Sequence, residues 1–202
     1  MKWKTKLAVP VLMMALLTSC SMGNVKFDEA AFKSALDSAK IEEVDTPAPN
    51  VVIKGEASYY EADDSLDLQL LNYTASPKSY TKAYVYSNNS ADNKFQYEMI
   101  FTEFKEQSDA EAAYKEISAN LKGTIVGGGD TKDGDNYVIV YVNPSHDTKA
   151  KKDEGDYWFK GVYMDGNNVI VINSKVTKST LKGYEKDKVC EEMDIPSPLS
   201  LA

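Results

Sequence analysis

Apolar residues recur at helical spacing near the start of the chain, where Phe32, Ala35, Leu36 and Ala39 share one face between charged and serine positions. This predicts a helix over 28–40, which must end before Thr46-Pro47-Ala48-Pro49-Asn50. The segment that follows is ambiguous. Val51-Val52-Ile53 permits a short strand, and Leu66, Leu68 and Leu70 alternate as a strand would, yet the Leu70-Leu71 pair also permits a helix. After the loop at 75–79, "KAYVYS" and "FQYEMIFTEF" read as two strands around a polar turn at 88–93. A second helix is marked by the stripe Ala110, Ala113, Tyr114, Ile117 and Leu121, with Ser108 and Glu111 as a capping box and Gly123 as the stop. Strands are predicted at 137–142, 157–164 and 169–173. The last two are joined by a hairpin signal at Asp165-Gly166-Asn167-Asn168. A final helix starts at Ser179 or Thr180 and ends before Pro196.

Helix, hairpin, helix, three strands, helix is the order of an α+β domain, with a single antiparallel sheet and helices packed mainly on one face. At 202 residues and 43% apolar content the chain fits one globular domain, and no repeat or second-domain boundary is visible. The predicted organisation is a leader at 1–19, a tether at 20–26 and one domain at 27–202.

The leader has a basic start at Lys2, Lys4 and Lys6, an apolar stretch from Leu7 to Leu17 and a small polar end. This is signal-peptide layout. The apolar run is about half the roughly 20 residues that a helix needs to cross a bilayer. Leu17-Thr18-Ser19-Cys20 resembles the bacterial lipobox in all four positions. That resemblance implies cleavage between Ser19 and Cys20, a diacylglyceryl group on the Cys20 thiol, and a membrane held through lipid as the first partner. Two acyl chains suffice for stable anchoring, since each buried CH₂ contributes about 0.8 kcal/mol. Ser21 is not the Asp of an inner-membrane retention signal, so a two-membrane cell would send the protein to its outer membrane. The all-lysine usage favours a single-membrane cell and the outer face of its cell membrane.

Charge narrows the partners. The formal net charge is −8, and a chain starting at Cys20 has 20 Lys against 31 acids, or −11, which disfavours nucleic acid and anionic lipid surfaces. All 23 basic residues are Lys, so no guanidinium fork is present for bidentate grip on phosphate or carboxylate.

Candidate chemistry is sparse. His146 is the one histidine, and Cys20 and Cys190 are the two cysteines, which leaves neither a zinc spacing nor a nucleophile–base pair. "GGGDTKDGDNY" lacks the Lys-Ser or Lys-Thr step of a phosphate loop. Asp130, Asp133 and Asp135 lack the spacing and the closing Glu of a calcium loop, so this stretch reads as a strand-to-strand loop. Carboxylate pairs such as Asp63-Asp64 and Glu191-Glu192 are too common in an acidic chain to single out a glycosidase site. No catalytic, cofactor or metal residue is therefore assigned. Among the 13 tyrosines, Tyr84 and Tyr86 lie two apart on a predicted strand and share a face. If exposed, they and Trp158 could stack on wall sugars or receive a protein partner; if covered, they are cross-strand packing.

The stretches "FDEAAFKSAL", "NKFQYEMIFTEFKEQSDAEAAY" and "YWFKGVYMDGNNVIVIN" give the chain a layout that resembles small secreted or lipid-anchored proteins of Firmicutes. It departs from them at Tyr163-Met164-Asp165 and Asn167-Asn168, where the group has Arg and an Asn-Thr pair. The resemblance implies no catalytic residues. The two functions in view are a non-catalytic, lipid-anchored module that binds an envelope protein or wall polymer, and an envelope hydrolase whose carboxylates or tyrosines meet only in the fold.

Overall fold

The computed structural model describes residues 25–47, 57–62, 80–92, 94–129, 135–142, 156–177 and 187–201. Helix α1 (Glu29–Ala39) starts where Asp28 Oδ1 accepts the Ala31 N–H at 2.8 Å. It ends where Lys40 turns left-handed at φ 60° and the Ile41 N–H reaches back to the Leu36 carbonyl. Helix α2 spans Gln107–Asn120, and a short α3 spans Lys188–Glu192. A 3₁₀ turn is formed at Pro198–Leu201.

The strands are β1 (Glu42–Glu43), β2 (Ala57–Glu61), β3 (Tyr80–Asn89), β4 (Phe95–Phe104), β5 (Thr124–Gly128), β6 (Tyr137–Val142), β7 (Asp156–Asp165) and β8 (Asn168–Thr177). They form one eight-stranded sheet in the order β1-β2-β3-β4-β8-β7-β6-β5. The expected all-antiparallel sheet is corrected at one edge. Six neighbouring pairs are antiparallel, but β1 lies parallel to β2, with Glu42 opposite Ser58. A parallel pair is joined by a crossover and not by a hairpin.

The helices also divide between the faces instead of gathering on one. Phe32 and Leu36 of α1 and Val189 and Cys190 of α3 pack on an aromatic-rich face that includes Tyr84, Tyr86, Tyr97, Phe101, Phe159 and Tyr163. Ala110, Ala113, Tyr114 and Ile117 of α2 pack on the other, where Val85, Ile100, Val138, Val140, Val162 and Val171 predominate. Alanines against valines let a helix sit low on the sheet, whereas rings hold it higher. The physical reason for the split is the sequence of β6 and β8, which is apolar at consecutive positions and needs cover on both sides.

Several local expectations shift. The N-cap of α2 is Glu106, without a side-chain cap bond, so Ser108 lies inside the first turn and makes no capping box. Gly123 does not stop the helix, which has already ended at Asn120. It opens β5, where an added Cβ would lie 2.6 Å from the Tyr141 carbonyl oxygen. β5 itself is a strand hidden in what reads as a glycine loop, and Gly127 pairs with Ile139. The ambiguous stretches at 51–53 and 64–73, and the predicted helix start at 179–180, lie outside the described residues.

Residues 25–27 pack on the folded body. Val25 and Phe27 are buried. Asn136 accepts the Val25 N–H on Oδ1 at 2.9 Å and donates from Nδ2 to the Val25 carbonyl at 2.8 Å, as a neighbouring strand would. Asp165 Oδ2 accepts the Phe27 N–H at 2.9 Å. Residues 25–27 are thereby fixed to the end of the sheet where β7 turns into β8.

Candidate functional site

On the aromatic face, at the end of the sheet where β3 turns into β4, lies a pocket of about 160 Å³. Its walls come from the end of α1 (Ala39, Ile41), the hairpin (Tyr86, Asn88, Phe95, Tyr97), the start of α3 (Asp187, Lys188, Val189) and Leu199 of the 3₁₀ turn. Strand alternation puts the four hairpin side chains on one face, because Asn88 stands opposite Tyr97 and Tyr86 opposite Met99. The rings of Tyr86 and Tyr97 meet at 5.5 Å and 54°, and those of Phe95 and Tyr97 stack at 6.2 Å.

Asp187 organises the polar side. Its Oδ1 accepts the Cys190 N–H at 3.1 Å, capping α3, and its Oδ2 accepts the Cys190 thiol at 3.3 Å. The Tyr97 hydroxyl lies 3.8 Å from the same sulfur. Burial pushes the Cys190 thiol well above its usual range, and the Asp187 charge adds to this. Burial, again reinforced by Asp187, raises the phenols of Tyr97 and Tyr86. The thiol and both phenols are therefore protonated at neutral pH. Lys188 lends its stem to the wall while its ammonium is bonded to the Ser38 carbonyl at 2.8 Å, at the C-terminal turn of α1. Tyr163, next to Cys190 in the core, donates its hydroxyl to the Pro196 carbonyl at 2.6 Å and so ties the C-terminal segment over this face.

The residues singled out from the sequence do not form one surface. Tyr84 is 2% exposed; its hydroxyl donates to Glu29 Oε1 at 2.7 Å, and Lys33 Nζ lies 4.8 Å from its ring centre. It packs between α1 and β3. Tyr86 is buried too, but it forms a pocket wall. Trp158 lies on the opposite, α2 side of the sheet, 38% exposed, with Lys175 Nζ 5.6 Å from its ring. Alternation explains the separation: the even positions of β3 and the even positions of β7 face opposite ways. Cys20, His146, Asp130 and Asp133 lie outside the described residues, and among the described residues no group of three His, Cys, Asp or Glu could hold a metal ion. Cys190 is a free, buried thiol.

Sequence reasoning missed Phe95, Tyr97, Asn88 and Asp187. A weak signal existed in Asp187-x-x-Cys190, an N-cap pattern with its third residue a cysteine.

No protein-family model matches the chain, and no curated protein matches it. Among solved structures it is similar to the extracellular domain of PknH from Mycobacterium tuberculosis, at 12% identity over 83% of this chain and 92% of that one, with a TM-score of 0.35. A likeness of that degree specifies no function. Among the described residues no helix is long and apolar enough to cross a membrane.

Proposed function

We propose that this chain is a lipid-anchored extracytoplasmic module that binds an envelope component or another protein and performs no chemistry of its own. The anchoring half rests on the leader and on Cys20 in its lipobox-like setting, and it agrees with the resemblance to lipid-anchored proteins of Firmicutes. The observation that carries the binding half is the placement of the pocket. The N-terminal segment docks at the β7–β8 end, whereas the pocket sits at the β3–β4 end. Glu103 is opposite Asn168 at one end and Phe95 opposite Val176 at the other. Eight residues of strand at about 3.4 Å each separate the two ends by about 27 Å.

Cys20 to Val25 is five residues, a reach of about 17 Å when fully extended. A domain held by so short a link keeps its docked end against the lipid and turns the pocket outward. Hydrolysis of glycan or peptide by a carboxylate pair needs two acids at the reacting bond, and the described residues of this pocket include one, Asp187, already engaged by Cys190. Its phenols and thiol are held protonated, which suits recognition better than proton transfer or nucleophilic attack. The test is fractionation of cells that express wild type and Cys20→Ala, with palmitate labelling. Wild type stays with membranes and takes up label, while the variant is released unlabelled. A variant that remains membrane-bound refutes the anchor.

A further inference from the structure

We infer that the pocket at the β3–β4 end recognises a primary alkylammonium group; this rests on the reading of the chain as a binding module. The walls offer the groups that a short aliphatic amine needs. Ile41 and Leu199 give an apolar lining for a carbon stem, and Phe95, Tyr86 and Tyr97 make the rest of the wall aromatic, a setting in which a cation within about 6 Å of a ring face is attracted by its quadrupole. Asp187 supplies the anion. A carboxylate has about four lone-pair sites; the N–H and S–H of Cys190 use one on each oxygen and the Tyr97 phenol engages the same carboxylate, which leaves one site for a ligand.

Charge decides between ligand classes. The phenols are neutral, so among the described residues Asp187 is the one anionic group in the wall. The cation nearby, Lys188, already has its ammonium on the Ser38 carbonyl, which also carries the negative end of α1. An anionic ligand would meet the Asp187 carboxylate with no guanidinium in the chain to offset it. A neutral alcohol would fill the same volume but gain neither the ion pair nor the ring attraction. At about 160 Å³ the cavity suits a side-chain-sized group.

The experiment is calorimetric titration of the full chain at pH 7 with n-pentylammonium, 1-pentanol and pentanoate, three probes of one shape and different charge. The expected order is ammonium first, at least tenfold tighter than the alcohol, with no pentanoate binding. Asp187→Asn keeps an equally good helix cap, so its Tm should stay near wild type while ammonium affinity falls at least tenfold. Equal affinity for ammonium and alcohol overturns the inference, as does a folded Asp187→Asn protein that binds ammonium as well as wild type does. If that variant does not fold, the comparison of probes on the wild type decides alone. Failure here leaves the anchor to its own fractionation test, and an unanchored protein that still prefers ammonium would sink only the other reading.

Discussion

Replacing Glu29 with Ala removes the acceptor for a hydroxyl that the fold has sealed under α1. Glu29 takes the Tyr84 O–H on Oε1 at 2.7 Å and the Lys82 ammonium on Oε2 at 2.6 Å. Lys82 is largely in water, so the cost comes mainly through Tyr84, which is 2% exposed and lies under Phe32 with its ring 6.2 Å away. A buried hydroxyl left without a partner costs about 1–3 kcal/mol. Because the Glu29 side chain is 26% exposed and water can reach the vacated site, the lower part of that range applies, about 1–2 kcal/mol. At about 2–4 °C per kcal/mol for a domain of this size, Tm should fall by about 2–8 °C.

A double-mutant cycle isolates the contact. Tyr84→Phe deletes the hydroxyl without leaving an orphan, so Glu29→Ala should be milder in that background, with a coupling of about 1 kcal/mol between the two sites. Additivity within about 0.3 kcal/mol would refute the reasoning. The pH dependence has a fixed sign. The bonds from Lys82 and Tyr84 lower the Glu29 carboxyl from its ordinary 4.5, so its contribution is complete above that pH and is lost as pH falls through the lower folded value. The Tyr84 phenol is raised from 10.0, first by burial and then by Glu29, so its contribution is complete below pH 10 and is lost as pH rises further. The difference between wild type and Glu29→Ala should therefore shrink in acid melts, and the wild type itself should weaken above pH 10.

One other substitution and one reactivity measurement probe the same face. An added Cβ at Gly161 would lie 2.6 Å from the Tyr163 hydroxyl oxygen, so Gly161→Ala should push that ring off the Pro196 carbonyl and cost about 1–3 kcal/mol by thermal melting. An unchanged Tm would show that the ring has room to shift. Cys190 is 1% exposed with a raised thiol pKa, so its reaction with a disulfide reagent at pH 8 should be on the order of a hundredfold slower in native than in denaturant-unfolded protein. Comparable rates would mean that α3 does not seal it.

Periodicity made α1, β3, β4, α2, β6, β7 and β8 legible, because each carries a stripe or an alternation long enough to register. Glu42–Glu43 carries no apolar position, so β1 has no sequence signature at all. β5 was masked by Gly127 and Gly128, which the strand tolerates at the sheet edge because only one neighbour has to pair with them. The two-sided cover was readable in principle: "YVIVYV" and "VIVI" are apolar at successive positions, and a half-solvated sheet would alternate. The pocket was not readable. Asp187 and Tyr97 are ninety positions apart in the chain, and nothing local to either marks the other. Tyr84 and Tyr86 were legible as a shared face but not as a covered one, since the cover is α1, which lies more than forty residues upstream.

The position of the pocket follows from how the aromatic face is roofed. Ten-residue strands at about 3.4 Å per residue make a sheet about 34 Å long, whereas the 11 residues of α1 span about 16 Å at 1.5 Å each. One helix cannot cover that length, and the five residues of α3 add about 7 Å. The two helices therefore meet above the β3–β4 end, where α1 finishes at Ala39 and α3 begins at Lys188, bridged by the Lys188 ammonium on the Ser38 carbonyl. Beneath the joint on the aromatic face stand Tyr86, Phe95 and Tyr97, rings too large and too rigid to collapse into the gap. A cavity at this place is thus the result of two short helices meeting over bulky rings, and Asp187 borders it because the residue that caps α3 has to stand where α3 begins.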